Sequence, residues 1–185
     1  SDPVVQQLAR LEPPLGEVLD VACGRGQLSI LLVELGLATR FTGLDWDRRK
    51  VEVCQVAAGE DGRAIVADAT RAELAPVDTV LIIDALHYLA REERRALLER
   101  AAAALRPGGR LVIRELDPKR GLRSRIAQWA ERVGSRVGMN RGAVCEWVDP
   151  AALSAEVAAL GLSPRLVPRP DDKPSPNYLL IADKA

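Results

Sequence analysis

The chain has 185 residues, and its Lys plus Arg and Asp plus Glu counts are equal at 26 each; that length suits one domain over residues 1–185, and balanced charge offers no global field to recruit nucleic acid, which is not expected as a partner. No apolar run approaches the roughly 20 residues that cross a bilayer, and the first residues lack the basic, apolar and small-residue order of a signal peptide, so no membrane span and a cytoplasmic location are expected. Cys23, Cys54 and Cys145 are odd in number and far apart, which fits neither a disulfide framework nor zinc-ligand spacing, and His87 is the single histidine, so reduced thiols and no metal are expected.

Residues 1–12 are expected to form a short helix before the first strand. Apolar runs rich in Val, Ile and Leu then recur at 17–21, 41–44, 64–67, 79–84 and 110–115, the composition of strands buried on both faces. Between them, 27–35, 48–58 and 92–105 carry apolar residues at helical spacing, and Pro107-Gly108-Gly109 stops the last. Such alternation predicts an α/β, doubly wound, mostly parallel sheet with crossover helices on both faces. Leu122, Ile126, Trp129, Val133 and Val137 then recur with the spacing of one helix with an apolar stripe, expected to cover the open end of the sheet. Asp149-Pro150 reads as an N-cap followed by a first-turn proline, opening a helix that ends near Gly161. Two final strands are expected at 165–168 and 178–182, joined by the proline-rich stretch 170–176 as an antiparallel hairpin.

The run Val18-Leu-Asp-Val-Ala-Cys-Gly-Arg-Gly-Gln-Leu-Ser29 carries the strongest chemical signal: a buried strand, a glycine-containing turn and a helix start. Gly24 and Gly26 can take positive φ and leave room for a ligand to approach the backbone, while the helix that follows offers free N–H groups to an anion. A dinucleotide-binding fold shares this arrangement and also sets an acidic residue about 20 positions on, where Asp45 stands.

In detail these residues resemble the class I S-adenosylmethionine-dependent methyltransferase family. Its first motif, acidic-x-Gly-x-Gly-x-Gly, aligns with Asp20-x-Ala22-x-Gly24-x-Gly26, with Ala22 where the family usually has glycine. The resemblance implies a seven-stranded Rossmann-like methyltransferase fold and S-adenosylmethionine as cofactor, with S-adenosylhomocysteine as product. It further implies that Asp45, ending the second strand, holds the ribose hydroxyls, that Trp46 covers a face of adenine, and that Asp68 in Ala67-Asp68-Ala69 meets the adenine amino group. A core position for Trp46 and a turn cap for Asp68 stay open as alternatives. The stretches Asp78-Thr-Val-Leu-Ile-Ile-Asp84-Ala-Leu-His87-Tyr88 and Leu105-Arg-Pro-Gly-Gly109 resemble the family's fourth and fifth strand regions. The implied cofactor residues are thus Asp20, Ala22, Cys23, Gly24, Gly26, Gln27, Asp45, Trp46, Asp68, Ala69, Asp84 and Ala85.

Methyl transfer from a sulfonium is an in-line displacement that needs alignment of the acceptor and, for hydroxyl or carbon acceptors, removal of a proton. His87 and Tyr88, just after the fourth strand, are the candidate catalytic residues, His87 as general base or as a packing residue. Asp84-Ala-Leu-His87 differs from the Asn/Asp-Pro-Pro-Tyr type of motif that serves nitrogens in DNA and proteins, which argues for a small-molecule acceptor at an O, C or N atom. Between Lys119 and Arg141 stand seven basic residues, Lys119, Arg120, Arg123, Arg125, Arg132, Arg136 and Arg141, against the single acid Glu131. They would suit an anionic substrate or an acidic acyl-carrier protein, or form a solvated helix face. Trp129, Met139 and Trp147 are candidates for an apolar acceptor pocket, with core packing as the alternative that the helical spacing of Trp129 favours. Asp45-Trp-Asp-Arg-Arg, His87-Tyr88 and Arg114-Glu115 also resemble methyltransferases of aryl polyene-like biosynthesis, which implies an aromatic or polyketide-like acceptor. Two other readings remain: a methyltransferase-like module that binds the cofactor without turnover, and a nicotinamide-dependent oxidoreductase, which would need a third small residue where Ser29 stands and would leave Asp68 idle.

Overall fold

The computed structural model describes residues 3–11, 14–119, 146–168 and 177–185. The helix expected from Leu122 to Val137, the basic residues from Arg120 to Arg141, Trp129, Met139, Cys145 and the 170–176 linker lie outside them.

Strands β1 (Glu17–Val21), β2 (Arg40–Asp45), β3 (Gly62–Val66), β4 (Val77–Ile83), β5 (Leu105–Leu116), β6 (Leu162–Leu166) and β7 (Asn177–Lys184) form one seven-stranded sheet in the order β3-β2-β1-β4-β5-β7-β6. β1 to β5 are parallel, and β7 runs antiparallel to both β5 and β6. The expected hairpin is therefore present, but its second strand lies inside the sheet and its first forms the edge. β6 starts at Leu162, earlier than the expected 165, and runs through Pro164. Proline is tolerated there because an edge strand has one side whose main chain needs no ladder partner.

Alternation along each strand supplies two cores. Leu19, Val21, Val80, Ile82, Leu111, Ile113, Leu180 and Ala182 face helices α4 (Arg91–Ala104) and α5 (Pro150–Ala158), which contribute Leu97, Leu98, Leu153 and Val157. Val18, Leu81, Val112, Leu179 and Ile181 belong to the opposite core, with Val4, Leu8, Leu32 and Cys54 from α1 (Pro3–Leu8), α2 (Gln27–Glu34) and α3 (Arg48–Ala58). Each fully buried aliphatic side chain stabilises by about 1.5–3 kcal/mol, so the three layers hold one another in place.

The expected break at Pro107-Gly108-Gly109 is a bulge inside β5. Val77 pairs with Leu105, but Thr79 already pairs with Arg110, so the intervening residues loop out of the ladder. A Cβ on Gly109 would lie 2.8 Å from the carbonyl oxygens of Arg106 and Asp78, which only glycine avoids. The N-cap expected for α5 is present: the Asp149 carboxylate accepts from Ala151 N at 3.0 Å and Ala152 N at 3.3 Å. Among the described residues no helix is long and apolar enough to cross a membrane.

At the other end of α4, the Lys184 ammonium donates to the carbonyls of Ala102 at 2.9 Å and Leu105 at 2.6 Å, so the last residue of β7 caps the helix. Lys184→Met leaves both carbonyls without their cation and is expected to lower unfolding free energy by about 1 kcal/mol in urea titrations; a midpoint unchanged from wild type would mean that water replaces the lysine at no cost.

Candidate functional site

β1 neighbours β2 on one side and β4 on the other, so chain connections leave it in opposite directions and open a crevice beyond the carboxyl ends of the strands. The turn from β1 into α2 borders that crevice. Gly24 and Gly26 adopt φ +58° and +70°, as their residue type allows, and Ala22 adopts +61°, a left-handed conformation in which glycine is the unstrained residue. Ala22 thus carries the backbone of the usual motif without its glycine.

The turn is held by Asp45 at the end of β2. Its Oδ2 accepts from Gly24 N at 2.9 Å, its Oδ1 accepts from Asp47 N at 2.9 Å, and its carbonyl accepts from Ala67 N at 2.9 Å. Buried to 5% exposure, Asp45 joins the ends of three neighbouring strands, through its carboxylate to the turn after β1 and through its main-chain carbonyl to the end of β3. A carboxylate accepts up to about four hydrogen bonds, so each oxygen retains a lone pair for a hydroxyl of a ligand.

Two cavities flank the glycine turn. One of about 410 Å³ is lined by Asp45, Trp46, Asp68, Ala69, Ala85 and Tyr88. The other, about 450 Å³, is lined by Asp20, Cys23, Gln27, Val5 of α1 and the arginines Arg25 and Arg114. Ala22, Gly24 and Asp84 line both, so the two form one trough across the strand ends. Trp46 is 43% exposed, which removes it from the core. Asp68 lines the first cavity and also caps its own turn, accepting from Thr70 N at 3.0 Å and Thr70 Oγ1 at 2.7 Å. Gly26 lines neither cavity; a Cβ there would strike Cys54 Sγ, and this glycine serves the close packing of α2 on α3. Lys50, Thr70 and Arg71 also line the first cavity and carried no signal in the sequence, being ordinary polar residues without a motif.

His87 lines neither cavity. It is 5% exposed, its Nδ1 is 2.8 Å from Glu115 Oε2, and its ring stacks on Trp147 at 5.6 Å between centroids. Glu115 Oε1 also accepts from Leu86 N at 2.6 Å, so β5 fixes the short 3₁₀ turn Leu86–Tyr88 from below. Tyr88, the other candidate catalytic residue, does line the first cavity, while Trp147 packs on His87 rather than lining either cavity.

Burial dominates the electrostatics. It pushes the Asp20 carboxyl up to about 7, against the lowering effect of Ser29 Oγ, which donates to Asp20 Oδ2 at 2.6 Å. It pushes Asp84 up as well, against the Arg114 guanidinium that donates through Nε at 3.0 Å. Asp84 also has φ +53°, so both Ala22 and Asp84, at the ends of adjacent strands, hold strained backbone where the cavities meet. Burial raises both the Cys23 and Cys54 thiols, which keeps them protonated and poor nucleophiles. Among the described residues no cluster of His, Cys, Asp or Glu could hold a metal ion.

Two outcomes follow from this geometry. Ala22→Gly relieves the left-handed strain at a cost in unfolded-chain entropy, and is expected to raise stability by about 0.5–1 kcal/mol in chemical denaturation; a loss of stability would mean that the alanine methyl contributes packing worth more than the strain. Between pH about 4 and 7 the folded chain keeps a proton on Asp20 that the unfolded chain has released, so its contribution to stability is lost as pH rises through that window. Asp20→Asn is therefore expected to flatten the stability profile there and to raise unfolding free energy at pH 8 by up to about 4 kcal/mol, and an unchanged profile would refute the shift.

Comparison with known proteins agrees with this arrangement. A family described as a methyltransferase domain matches residues 18–109, from β1 through the bulge of β5. A ubiquinone biosynthesis O-methyltransferase of Xanthomonas axonopodis pv. citri is 27% identical over 160 residues, covering 83% of this chain and 65% of that protein. Its counterpart from Idiomarina loihiensis is 33% identical over 107 residues, covering 55% of this chain and 42% of the relative. The chain thus spans about two thirds of the one relative and less than half of the other. Among solved structures, magnesium protoporphyrin IX methyltransferase from Synechocystis PCC 6803 with bound S-adenosylhomocysteine shares the fold, with a TM-score of 0.70 at 21% identity, over 98% of this chain and 80% of that one. Sequence motif, strand order and family match together identify this chain as a member of the class I S-adenosylmethionine-dependent methyltransferase family.

Proposed function

We propose that residues 1–185 act as one domain that binds S-adenosylmethionine across the glycine turn and transfers its methyl group to a small-molecule acceptor, giving S-adenosylhomocysteine. The observation that carries this reading is the trough itself: a Cβ added to Gly24 meets nothing within 4 Å, and the buried Asp45 carboxylate beside it has capacity for two hydroxyls. The remaining donor set fits the same cofactor. Asp45 suits the ribose diol, the exposed Trp46 ring suits one face of adenine, and the Asp68 carboxylate suits the exocyclic amino group. The end of the trough formed by Asp20, Ala22, Cys23, Gly24 and Gln27 is left for the methionine part, with Ala69, Asp84 and Ala85 completing the wall.

S-adenosylmethionine, once bound, supplies a methyl group on a positively charged sulfur. What remains for the chain is to align an acceptor and exclude water, and a displacement of this kind draws most of its acceleration from such positioning. Tyr88 is the candidate to meet the reacting groups, because its side chain borders the trough. His87 is better suited to hold Tyr88 in place through Glu115 than to take a proton itself. An oxygen acceptor is favoured by the names of the relatives, and an acceptor with an apolar body and an anionic group by Val5, Leu28 and Leu31 lining the second cavity together with Arg25 and Arg114. An acidic acyl-carrier protein as the donor of a tethered acceptor, and a cytoplasmic location, remain part of the proposal on sequence grounds alone.

Calorimetric titration separates this reading from nicotinamide binding. Saturable binding of S-adenosylhomocysteine, weakened about 10- to 100-fold by Asp45→Asn and without competition from NADH, is the expected result, since a hydrogen bond to a charged group is worth about 1.5–3 kcal/mol. Binding of NADH with no response to S-adenosylhomocysteine would refute the proposal.

A further inference from the structure

The turn that follows β3 forms one wall of the first cavity, through Ala67, Asp68, Ala69, Thr70 and Arg71. Its main chain is bonded almost residue by residue. Ala67 N donates to the carbonyl of Asp45, Asp68 Oδ1 takes Thr70 N and Thr70 Oγ1, and the Asp68 carbonyl takes Arg71 N and Ala72 N. Two carbonyls in the middle, those of Ala69 and Thr70, receive their donors from elsewhere. Arg100, half-buried on α4 and about thirty residues away in sequence, donates through Nη2 to Ala69 O at 2.6 Å and through Nη1 to Thr70 O at 2.5 Å.

We infer that Arg100 is a positioning residue for purine recognition: its guanidinium fixes the peptide planes at Ala69 and Thr70, and through them the Asp68 carboxylate that the base edge meets. The physical case rests on geometry. A guanidinium presents its N–H groups as a rigid fork, so two carbonyls gripped by two nitrogens of one fork are fixed relative to each other. The peptide joining Ala69 to Thr70 carries both a carbonyl held by Arg100 and the N–H that bonds Asp68 Oδ1. Rotation of that peptide would therefore break the arginine bond and the Asp68 bond together, and would release the carboxylate from its place on the cavity wall. Arg100 itself is not among the residues lining the cavity, so it acts on a ligand only through the turn. No motif marks it in the sequence, because a helix arginine between Glu99 and Ala101 looks like any solvated one.

The inference rests on the proposed adenine reading, and the experiment separates the two. Affinities for S-adenosylhomocysteine and for its deaminated analogue S-inosylhomocysteine, in which an oxo group replaces the 6-amino group, are measured by calorimetry for wild type, Arg100→Met, Arg100→Lys and Asp68→Asn, alongside the melting temperature of each. Wild type is expected to prefer the amino ligand about tenfold or more. Arg100→Met is expected to weaken S-adenosylhomocysteine about tenfold and to bring the preference towards one, with Arg100→Lys recovering part of both because an ammonium holds one carbonyl well but not two as a fork. A merely structural role would lower the melting temperature and leave the preference untouched. An unchanged preference in Arg100→Met, with a reduced one in Asp68→Asn, overturns the role of Arg100 and leaves the adenine reading standing. A wild type that binds neither ligand, or binds both equally, overturns the adenine reading and the role of Arg100 with it.

Discussion

The arrangement of the strand ends depends on one buried carboxylate. Asp45 accepts the Gly24 N–H from the turn after β1 and the Asp47 N–H from the start of α3, while its own carbonyl takes Ala67 N from the end of β3. In a parallel sheet the loops beyond the strand ends have no ladder to hold them, and their polar main-chain groups must find other partners when buried. Asp45 supplies those partners from one point, so the mouth of the crevice is shaped before any ligand arrives. That preorganisation matters for a binding site, because the cost of ordering loops is met during folding rather than on association.

Around that clamp the chain stores strain and unfavourable burial. Ala22 and Asp84 hold left-handed backbone at the ends of neighbouring strands, and burial disfavours the charged forms of Asp20 and Asp84. Each feature costs stability, and each borders the trough. The two cores on either side of the sheet, built from strictly alternating Leu, Val and Ile, provide the stability that lets the strand ends depart from low-energy geometry.

Side chains that line the trough are held from behind by residues that do not. Glu115 on β5 bonds Leu86 N and the His87 ring, and so fixes the turn that carries Tyr88. Ser29 in the first turn of α2 bonds Asp20, and the Arg100 fork bonds the turn that carries Asp68. These supports come from β5, α2 and α4, so the trough is set by the whole three-layer packing rather than by its own loops. The family match over residues 18–109 runs from β1 to the bulge of β5, and so takes in the glycine turn, Asp45 and Asp68 together with the Arg100 fork that supports them.

Much of this was legible in the residues. Strands buried on both faces announce themselves as unbroken apolar runs, and β1 and α3 were expected at their observed bounds, because periodicity and burial act locally along the chain. The glycine turn, Asp45, Trp46 and Asp68 were legible because positive φ, an acid at a strand end and a cap leave signatures within a few residues. Other features depend on residues far apart in sequence. The insertion of β7 between β5 and β6 places partners more than sixty positions apart, Pro164 is accommodated because β6 became the edge, and His87 is buried because Glu115 is there to receive its ring. Arg100 was invisible for the same reason: its donors reach carbonyls about thirty residues away, and only the packing of α4 on the sheet brings them together. By itself the sequence determined which segments are strands and helices and where the glycine turn with its left-handed backbone falls, since those follow from local periodicity and backbone freedom; the tertiary structure decided strand order, the burial of each polar side chain and the supports behind the trough, since those are long-range pairings that no local pattern encodes.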